Sequence, residues 1–132
     1  MKTYALFLGL CLFLFSCKKD DDAPPPVGGP GGLATLKATP RHHGRQIDSC
    51  TIYIKYNSLN PPLDSVYDDS ARCVLVNGVP VATFAGLKAG SYYLYGYGWD
   101  PQLSPPQHVR GGIPWTITQE TLQSTDVPVS EE

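Results

Sequence analysis

Alternation of apolar and polar residues with a period of two is the feature of this sequence that most restricts its fold. It recurs between turn residues (Gly, Pro, Asn and Asp) in segments 34–39, 50–56, 72–76, 79–84, 91–99, 115–118 and 125–129. Such alternation is typical of half-buried strands, whereas helical periodicity is nearly absent. The sequence therefore predicts an all-β fold, a single two-sheet antiparallel β-sandwich of about seven strands.

Two local features indicate how strands connect. Asn77 and Gly78 separate two of the strand segments, and both residue types tolerate the positive φ of a tight type I′ hairpin. Pro128 has no N–H to donate to a central ladder. The last strand is therefore predicted to lie at the edge of a sheet.

The chain begins with the features of a cleaved export signal. Lys2 precedes an apolar run over residues 4–15, which is shorter than the roughly 20 residues that a membrane-spanning helix needs. Residues 14–17 (LFSC) resemble the bacterial lipobox, which implies cleavage before Cys17 and lipidation of that cysteine. Residues 1–16 are thus predicted to be a lipoprotein signal peptide. The alternative is an ordinary secretory signal in which the cysteine is incidental.

A block of charge follows directly at residues 18–22 (KKDDD). Such a block stays solvated, and it resembles the export signal of Bacteroidota lipoproteins displayed at the cell surface. The resemblance implies a protein held in the outer membrane by its lipid and facing outward. The alternative is a solvated spacer on a lipoprotein that faces the periplasm.

Composition divides the rest of the chain into a tether and one domain. Residues 23–32 (APPPVGGPGG) are mostly proline and glycine, which predicts a flexible tether over residues 17–32 that buries nothing. Residues 33–132 suffice for one β-sandwich domain with one core. They hold seven lysines and arginines against nine aspartates and glutamates, without a basic run, so nucleic-acid binding is not expected.

Two cysteines, Cys50 and Cys73, remain once the signal and lipid positions are set aside. Outside the cytoplasm thiols tend to pair. A disulfide between the two is therefore predicted, and it would stabilise the fold by about 3 kcal/mol. The alternative is a pair of buried free thiols.

The segment 84–94 (FAGLKAGSYYL) carries a family resemblance. Its pattern, F-x-G-L-x-x-G-x-Y-x-L, resembles that of carboxypeptidase regulatory-like and other transthyretin-like (prealbumin-like) domains. The resemblance implies that Phe84 and Leu87 enter the core and that Gly90 turns the chain. Tyr92 and Leu94 are then expected to point inward on the returning strand. Such domains are accessory modules that usually lack catalytic residues.

Alternation along that strand places a row of aromatic residues on the opposite face. The row consists of Tyr93, Tyr95, Tyr97 and Trp99. Aromatic rows can stack on sugar rings or anchor a protein partner, so these residues are the predicted binding surface. The alternatives are that a loop such as 100–108 covers the row, or that the row only stabilises cross-strand pairs.

No motif predicts a metal site, a cofactor or catalysis. His42 and His43 are adjacent, so their rings are expected on opposite faces of a strand, and the spacings H-x-H and H-x-x-x-H are absent. The aspartates of segment 61–70 lack EF-hand spacing and are interpreted as parts of a solvated turn. The serine elbow G-x-S-x-G is also absent, and an enzyme is not expected.

Together these features predict a non-enzymatic surface lipoprotein that docks, as an accessory subunit, on a larger outer-membrane transport or secretion assembly. The alternative is a module that binds carbohydrate or peptide at the cell surface. Both hypotheses place the binding site on the aromatic row.

Overall fold

The structure is a computed structural model that describes residues 24–132. The predicted signal peptide, the lipidation site Cys17 and the charged block lie outside the described residues. Within residues 24–132 there is no helix of the length and apolar character needed to cross a membrane.

The described chain is built from strands. In chain order they are β1 (Pro30–His42), β2 (Arg45–Gln46), β3 (Ser49–Tyr56), β4 (Asp69–Arg72), β5 (Val74–Val76), β6 (Val79–Leu87), β7 (Gly90–Asp100), β8 (Gln107–Ile117), β9 (Leu122–Pro128) and β10 (Ser130–Glu131). The all-β prediction is confirmed. Ten strands replace the predicted number of about seven, because several very short strands carry too few residues to show alternation.

The strands form two sheets. Sheet I has the order β2-β1-β6-β5, with β9 added on β1, and sheet II has the order β10-β8-β7-β3-β4. Every pairing is antiparallel except that of β9 with β1, which is parallel. The expectation of wholly antiparallel sheets is therefore wrong at this pair. The chain enters β9 from β8 in the other sheet, so no tight hairpin imposes an antiparallel direction.

Two segments differ from their predicted extent. The predicted segment 115–118 covers only the last three residues of β8, because Gly111, Gly112 and Pro114 interrupt the apolar pattern upstream. The segment 72–76, predicted as one strand, belongs to two: β4 pairs with β3 in sheet II, and β5 pairs with β6 in sheet I. Apolar character alone does not tell which sheet a strand joins.

The core lies between the sheets and draws on both of them. It includes Leu36 from β1, Ile52 and Ile54 from β3, and Val127 from β9, all of which are buried. The inward positions predicted from the hairpin pattern are confirmed, since the buried residues include Phe84, Leu87, Tyr92 and Leu94. This arrangement is that of a β-sandwich.

Both local strand predictions are confirmed. Asn77 and Gly78 have φ values of 51° and 78°, and they join β5 to β6 with Val76 opposite Val79. This is the positive φ pair of a type I′ turn. Pro128 lies in β9, which pairs with β1 alone among the described strands and so forms an edge.

The structured domain begins earlier than the composition predicts. The Gly28 N–H donates to Oδ1 of Asn57 at 2.6 Å, and the Gly29 N–H donates to the Tyr92 hydroxyl at 2.8 Å. The Gly29 carbonyl accepts from the N–H of Lys88 at 2.8 Å. The last part of the predicted tether, Gly28 onward, is therefore fixed to the sandwich. Glycine serves here for close packing, since a Cβ on Gly28 would lie 3.0 Å from Cζ of Tyr92.

Candidate functional site: a tyrosine groove and a histidine cluster

The central position of β7 in sheet II governs where the predicted binding residues lie. β7 pairs with β8 along its whole length on one side, and with β3 over residues 92–99 on the other. Its inward positions are filled by Tyr92 and Leu94, so Tyr93, Tyr95 and Tyr97 stand on the outer face of the sheet. Tyr97 is 37% exposed. The predicted aromatic row is thus open to solvent in part.

Three of these tyrosines line a groove of about 540 Å³. The loop between β3 and β4 forms its other wall, and the full lining consists of Tyr53, Pro61, Pro62, Ser65, Tyr67, Tyr93, Tyr95, Tyr97, Gly111 and Gly112. We call this surface the tyrosine groove. The loop 100–108, considered as an alternative cover for the aromatic row, contributes no residue to the groove. It connects β7 to β8, and its last residues already belong to β8.

Tyrosine rings pack against one another within the groove. The rings of Tyr67 and Tyr95 are stacked, with centroids 5.5 Å apart and an interplanar angle of 18°. Tyr53 lies 5.6 Å from Tyr67 and 6.2 Å from Tyr95. Sequence reasoning missed Tyr53 and Tyr67. Tyr53 could have been found, because it alternates with the inward residues Ile52 and Ile54 and so lies on the outer face.

Glycine forms the floor of the groove. Gly111 and Gly112 on β8 lie opposite Gly96 and Tyr95 of β7. A Cβ on Gly112 would lie 2.3 Å from the Leu94 carbonyl oxygen and 2.7 Å from the Tyr93 hydroxyl. Glycine therefore lets the Tyr93 ring lie across β8 and leaves the groove free of side chains from that strand.

Trp99 lies apart from the tyrosine groove, although it belongs to the same row. Its ring meets the His108 ring edge-on at 4.9 Å, and Tyr97 is stacked on the same His108 ring at 4.8 Å. Three of the four predicted binding residues therefore line the groove, and the fourth, Trp99, lines a neighbouring pocket together with Tyr97 and His108.

The groove is suited to binding without charge. Burial, with the neighbouring phenols of Tyr93 and Tyr95, raises the pKa of Tyr67 to about 12. Burial likewise raises the pKa of Tyr93. These hydroxyls are therefore protonated at neutral pH and can donate hydrogen bonds. The lining residues include no Asp, Glu, His, Lys or Arg, so the groove offers aromatic faces and neutral hydroxyls.

The loop that forms one wall of the groove carries exposed apolar side chains. Leu63 is fully exposed, and Leu59 and Val66 are about half exposed. Scattered exposed apolar residues are ordinary, but here three lie on the loop that also supplies Pro61, Pro62 and Tyr67 to the groove. We call Leu59, Leu63 and Val66 the apolar loop.

A second cluster lies at the far end of β1. The expectation that His42 and His43 point to opposite faces is wrong, because their ring centroids are only 4.2 Å apart. His43 has a φ of 48°, so the chain leaves the strand there and the alternation of side chains stops. We call His42, His43 and Glu131 the histidine cluster.

His42 is fully buried and is held by Asp100. Its Nδ1 lies 2.7 Å from Oδ2 of Asp100, and the same oxygen accepts from Nη2 of Arg45 at 2.9 Å. Burial alone would raise the pKa of Asp100. The pKa is nevertheless lowered, because the carboxylate accepts hydrogen bonds from His42, the Gln102 N–H and the positively charged Arg45. Burial also opposes charge on His42, yet the carboxylates of Asp100 and Glu131 raise its pKa.

Glu131 completes the cluster from the C-terminal strand β10. Its Oε2 lies 3.1 Å from Nε2 of His42, and its Oε1 lies 3.3 Å from Nε2 of His43. Its own backbone N–H, together with the two imidazoles, lowers the pKa of Glu131 to about 2. Sequence reasoning missed this cluster, because Glu131 is distant in sequence from the two histidines. The pairings of β9 with β1 and of β10 with β8 bring it to them.

Comparison of the chain with protein-family models, with curated proteins and with solved structures finds no match.

The two cysteines of the domain are neighbours. The Cys73 N–H donates to the Cys50 carbonyl at 2.9 Å, as the register of β3 with β4 requires. Both residues are buried, and the structure has them as free thiols. The disulfide stays a prediction.

The aspartates of the β3–β4 loop act locally. Asp64 accepts from the N–H of Val66 at 3.0 Å. Asp68 accepts from the N–H of Tyr56 at 2.7 Å and lies 3.3 Å from Nζ of Lys55. These bonds fit the predicted solvated turn.

Proposed function

We propose that this chain is a non-enzymatic binding protein, anchored to the outer face of the outer membrane by a lipid on Cys17, that docks a protein partner through the tyrosine groove. The sandwich would be of the transthyretin-like kind that the hairpin resemblance implies. The partner belongs to an outer-membrane transport or secretion assembly. The observation that carries the proposal is the tyrosine groove, one wall of which is a loop that also exposes three apolar side chains.

A protein partner suits the chemistry of this surface. Tyrosine is enriched among the residues that dominate binding energy at interfaces, because its rigid ring buries much apolar area while its hydroxyl keeps a polar partner. The exposed side chains of Leu59, Leu63 and Val66 would be covered by the same partner. A sugar, being polar on most of its surface, would leave these side chains exposed.

The size of the groove supports a second candidate function. Ligand pockets commonly enclose about 300–1,000 Å³, and the tyrosine groove, at about 540 Å³, falls in this range. Stacked tyrosines beside a glycine floor could hold one or two sugar rings or a short peptide. Binding of a free glycan or peptide at the cell surface is therefore the alternative.

Mutation of the groove should release the protein partner. We expect the full lipoprotein, purified in mild detergent from the outer membranes of the cells that make it, to carry one protein in near-equal amount. Tyr95→Ala or Tyr97→Ala should lower its recovery about 10-fold or more, as loss of a dominant interface residue does. The measurement is quantitative mass spectrometry of the purified complex.

Trp99→Ala is the matched control, because Trp99 is an exposed aromatic residue of the same strand that lies outside the groove. It should leave recovery of the partner unchanged. If the Tyr95→Ala variant keeps the circular dichroism spectrum of the unmodified protein and still recovers as much partner as that protein does, the proposal is contradicted. Specific glycan or peptide binding that Tyr95→Ala abolishes, in a protein purified without a partner, would establish the alternative.

The anchor has its own test. Cys17→Ala should abolish incorporation of labelled fatty acid and shift the protein from the membrane fraction to the soluble fraction, since one removed residue removes every acyl chain. Cell fractionation with metabolic labelling measures both effects. Cys11→Ala is the control and should change neither; a Cys17→Ala protein that stays lipid-labelled would disprove the anchor.

A further inference from the structure

We infer that the histidine cluster binds a divalent zinc ion through Nε2 of His42, Nε2 of His43 and the carboxylate of Glu131. This inference is independent of the proposed function, because the cluster shares no residue with the tyrosine groove.

The spacing of the candidate ligand atoms suits a tetrahedral ion. All three groups offer atoms that lie within 4.8 Å of one another. The two measured separations from Glu131, to His42 and to His43, are 3.1 Å and 3.3 Å. Zinc bonds to nitrogen and oxygen of about 2.1 Å place tetrahedral ligand atoms about 3.4 Å apart. Imidazole and carboxylate are the ligand types found in His₂Glu zinc sites.

Asp100 fixes His42 in the orientation that metal binding needs. A carboxylate only accepts hydrogen bonds, so the 2.7 Å contact puts the proton of the ring on Nδ1. In the neutral ring the lone pair then belongs to Nε2, the atom that faces the cluster. Metal-bound histidines commonly donate their second nitrogen to a carboxylate in this way.

Asp100 is itself held in place, so the orientation of His42 is built into the fold. It is fully buried and accepts from Nη2 of Arg45 at 2.9 Å and from the N–H of Gln102 at 2.9 Å. Three hydrogen bonds thus position one carboxylate against one ring. Exposed residues that meet by chance do not have such support.

The unpaired state of Nε2 is the second observation that points to a cation. Nε2 of His42 is buried and has no hydrogen-bond partner of normal geometry within residues 24–132, although Glu131 Oε2 is 3.1 Å away. Because a lone pair so close to a carboxylate oxygen is unfavourable, these two atoms share a cation, either a proton on Nε2 or a metal ion. A metal ion held by both groups would take the place of that proton and also recruit the exposed ring of His43.

Three protein ligands leave one position of a tetrahedral ion for water or for a group supplied from outside. His43 and Glu131 are exposed on that side, so the ion would be reachable from solvent. The ion would also join the end of β1 in sheet I to β10 in sheet II.

Titration with zinc chloride tests the site. The mature chain, purified with a tag that contains no histidine, should bind one zinc ion per chain by calorimetry. His43→Ala and Glu131→Gln should each weaken binding by at least the roughly 10-fold that loss of an outer-shell partner causes. Both residues are exposed, so these variants are expected to fold. Cobalt(II) in place of zinc should give the visible absorption bands of a tetrahedral ion, and His43→Ala should lose them.

His108→Ala is the control, since this exposed histidine stacks on Tyr97 and belongs to no candidate group of ligands in the described chain. It should bind zinc as the unmodified protein does. Absence of stoichiometric zinc binding would overturn the inference and leave His42 as an imidazolium between two carboxylates. Equal affinity in the His43→Ala and Glu131→Gln variants would overturn it as well, because the zinc would then be bound elsewhere.

Discussion

Replacing Leu94 with alanine is expected to lower the free energy of unfolding by about 2–5 kcal/mol, the usual cost of emptying a fully buried leucine site. Leu94 lies in the middle of the central strand β7 and is completely buried between the sheets. For a domain of this size each kcal/mol shifts the melting temperature by about 4–8 °C. Thermal and urea unfolding, followed by circular dichroism, measure the loss.

Leu75→Ala is the matched control, because it deletes the same atoms from a leucine that is 60% exposed on β5. Surface substitutions of this kind stay within about 0.5 kcal/mol. If both variants lost a similar free energy of unfolding, Leu94 could not lie in a core between the two sheets.

Tyr92→Phe is expected to cost about 1–3 kcal/mol, because it leaves buried polar groups without partners. The Tyr92 hydroxyl accepts from the N–H of Gly29 at 2.8 Å and donates to the carbonyl of Lys88 at 2.6 Å. Loss of the Tyr92 hydroxyl should also loosen the segment that precedes β1. Limited proteolysis of the full chain should therefore cut before Pro30 faster in the variant, in addition to the lower stability found by urea unfolding.

Tyr97→Phe serves as the control, since the Tyr97 ring is exposed and the described chain gives its hydroxyl no hydrogen bond. It should change neither unfolding nor proteolysis. If Tyr92→Phe behaved like Tyr97→Phe, the Tyr92 hydroxyl would not be the group that fixes the N-terminal segment to the domain.

The features that the sequence predicts well are local ones. The strand segments, the hairpin at Asn77 and Gly78, and the inward side of β7 all depend on alternation or on backbone preference within a few residues. The outward position of Tyr93, Tyr95 and Tyr97 follows from the same alternation. Nothing beyond neighbouring residues is needed for these predictions.

The features that were missed depend on which distant segments meet. Tyr67 joins the groove because the loop after β3 folds across the outer face of sheet II. Glu131 meets His42 because β9 runs parallel to β1 and carries the C-terminus to its end. Gly28 and Gly29 look like a tether by composition, although their missing side chains allow close packing on Tyr92. Composition cannot distinguish these two uses of glycine.

The two ends of β7 separate the N-terminal segment, which leads to the proposed anchor, from the histidine cluster. The strand begins at Gly90, beside the point where the N-terminal segment is fixed, and ends at Asp100, beneath the histidine cluster. At about 3.3 Å per residue these ends are about 33 Å apart. A domain standing on its lipid would hold the histidines at the membrane-distal tip. Its tyrosine groove, on the outer face of sheet II, would then open to the side.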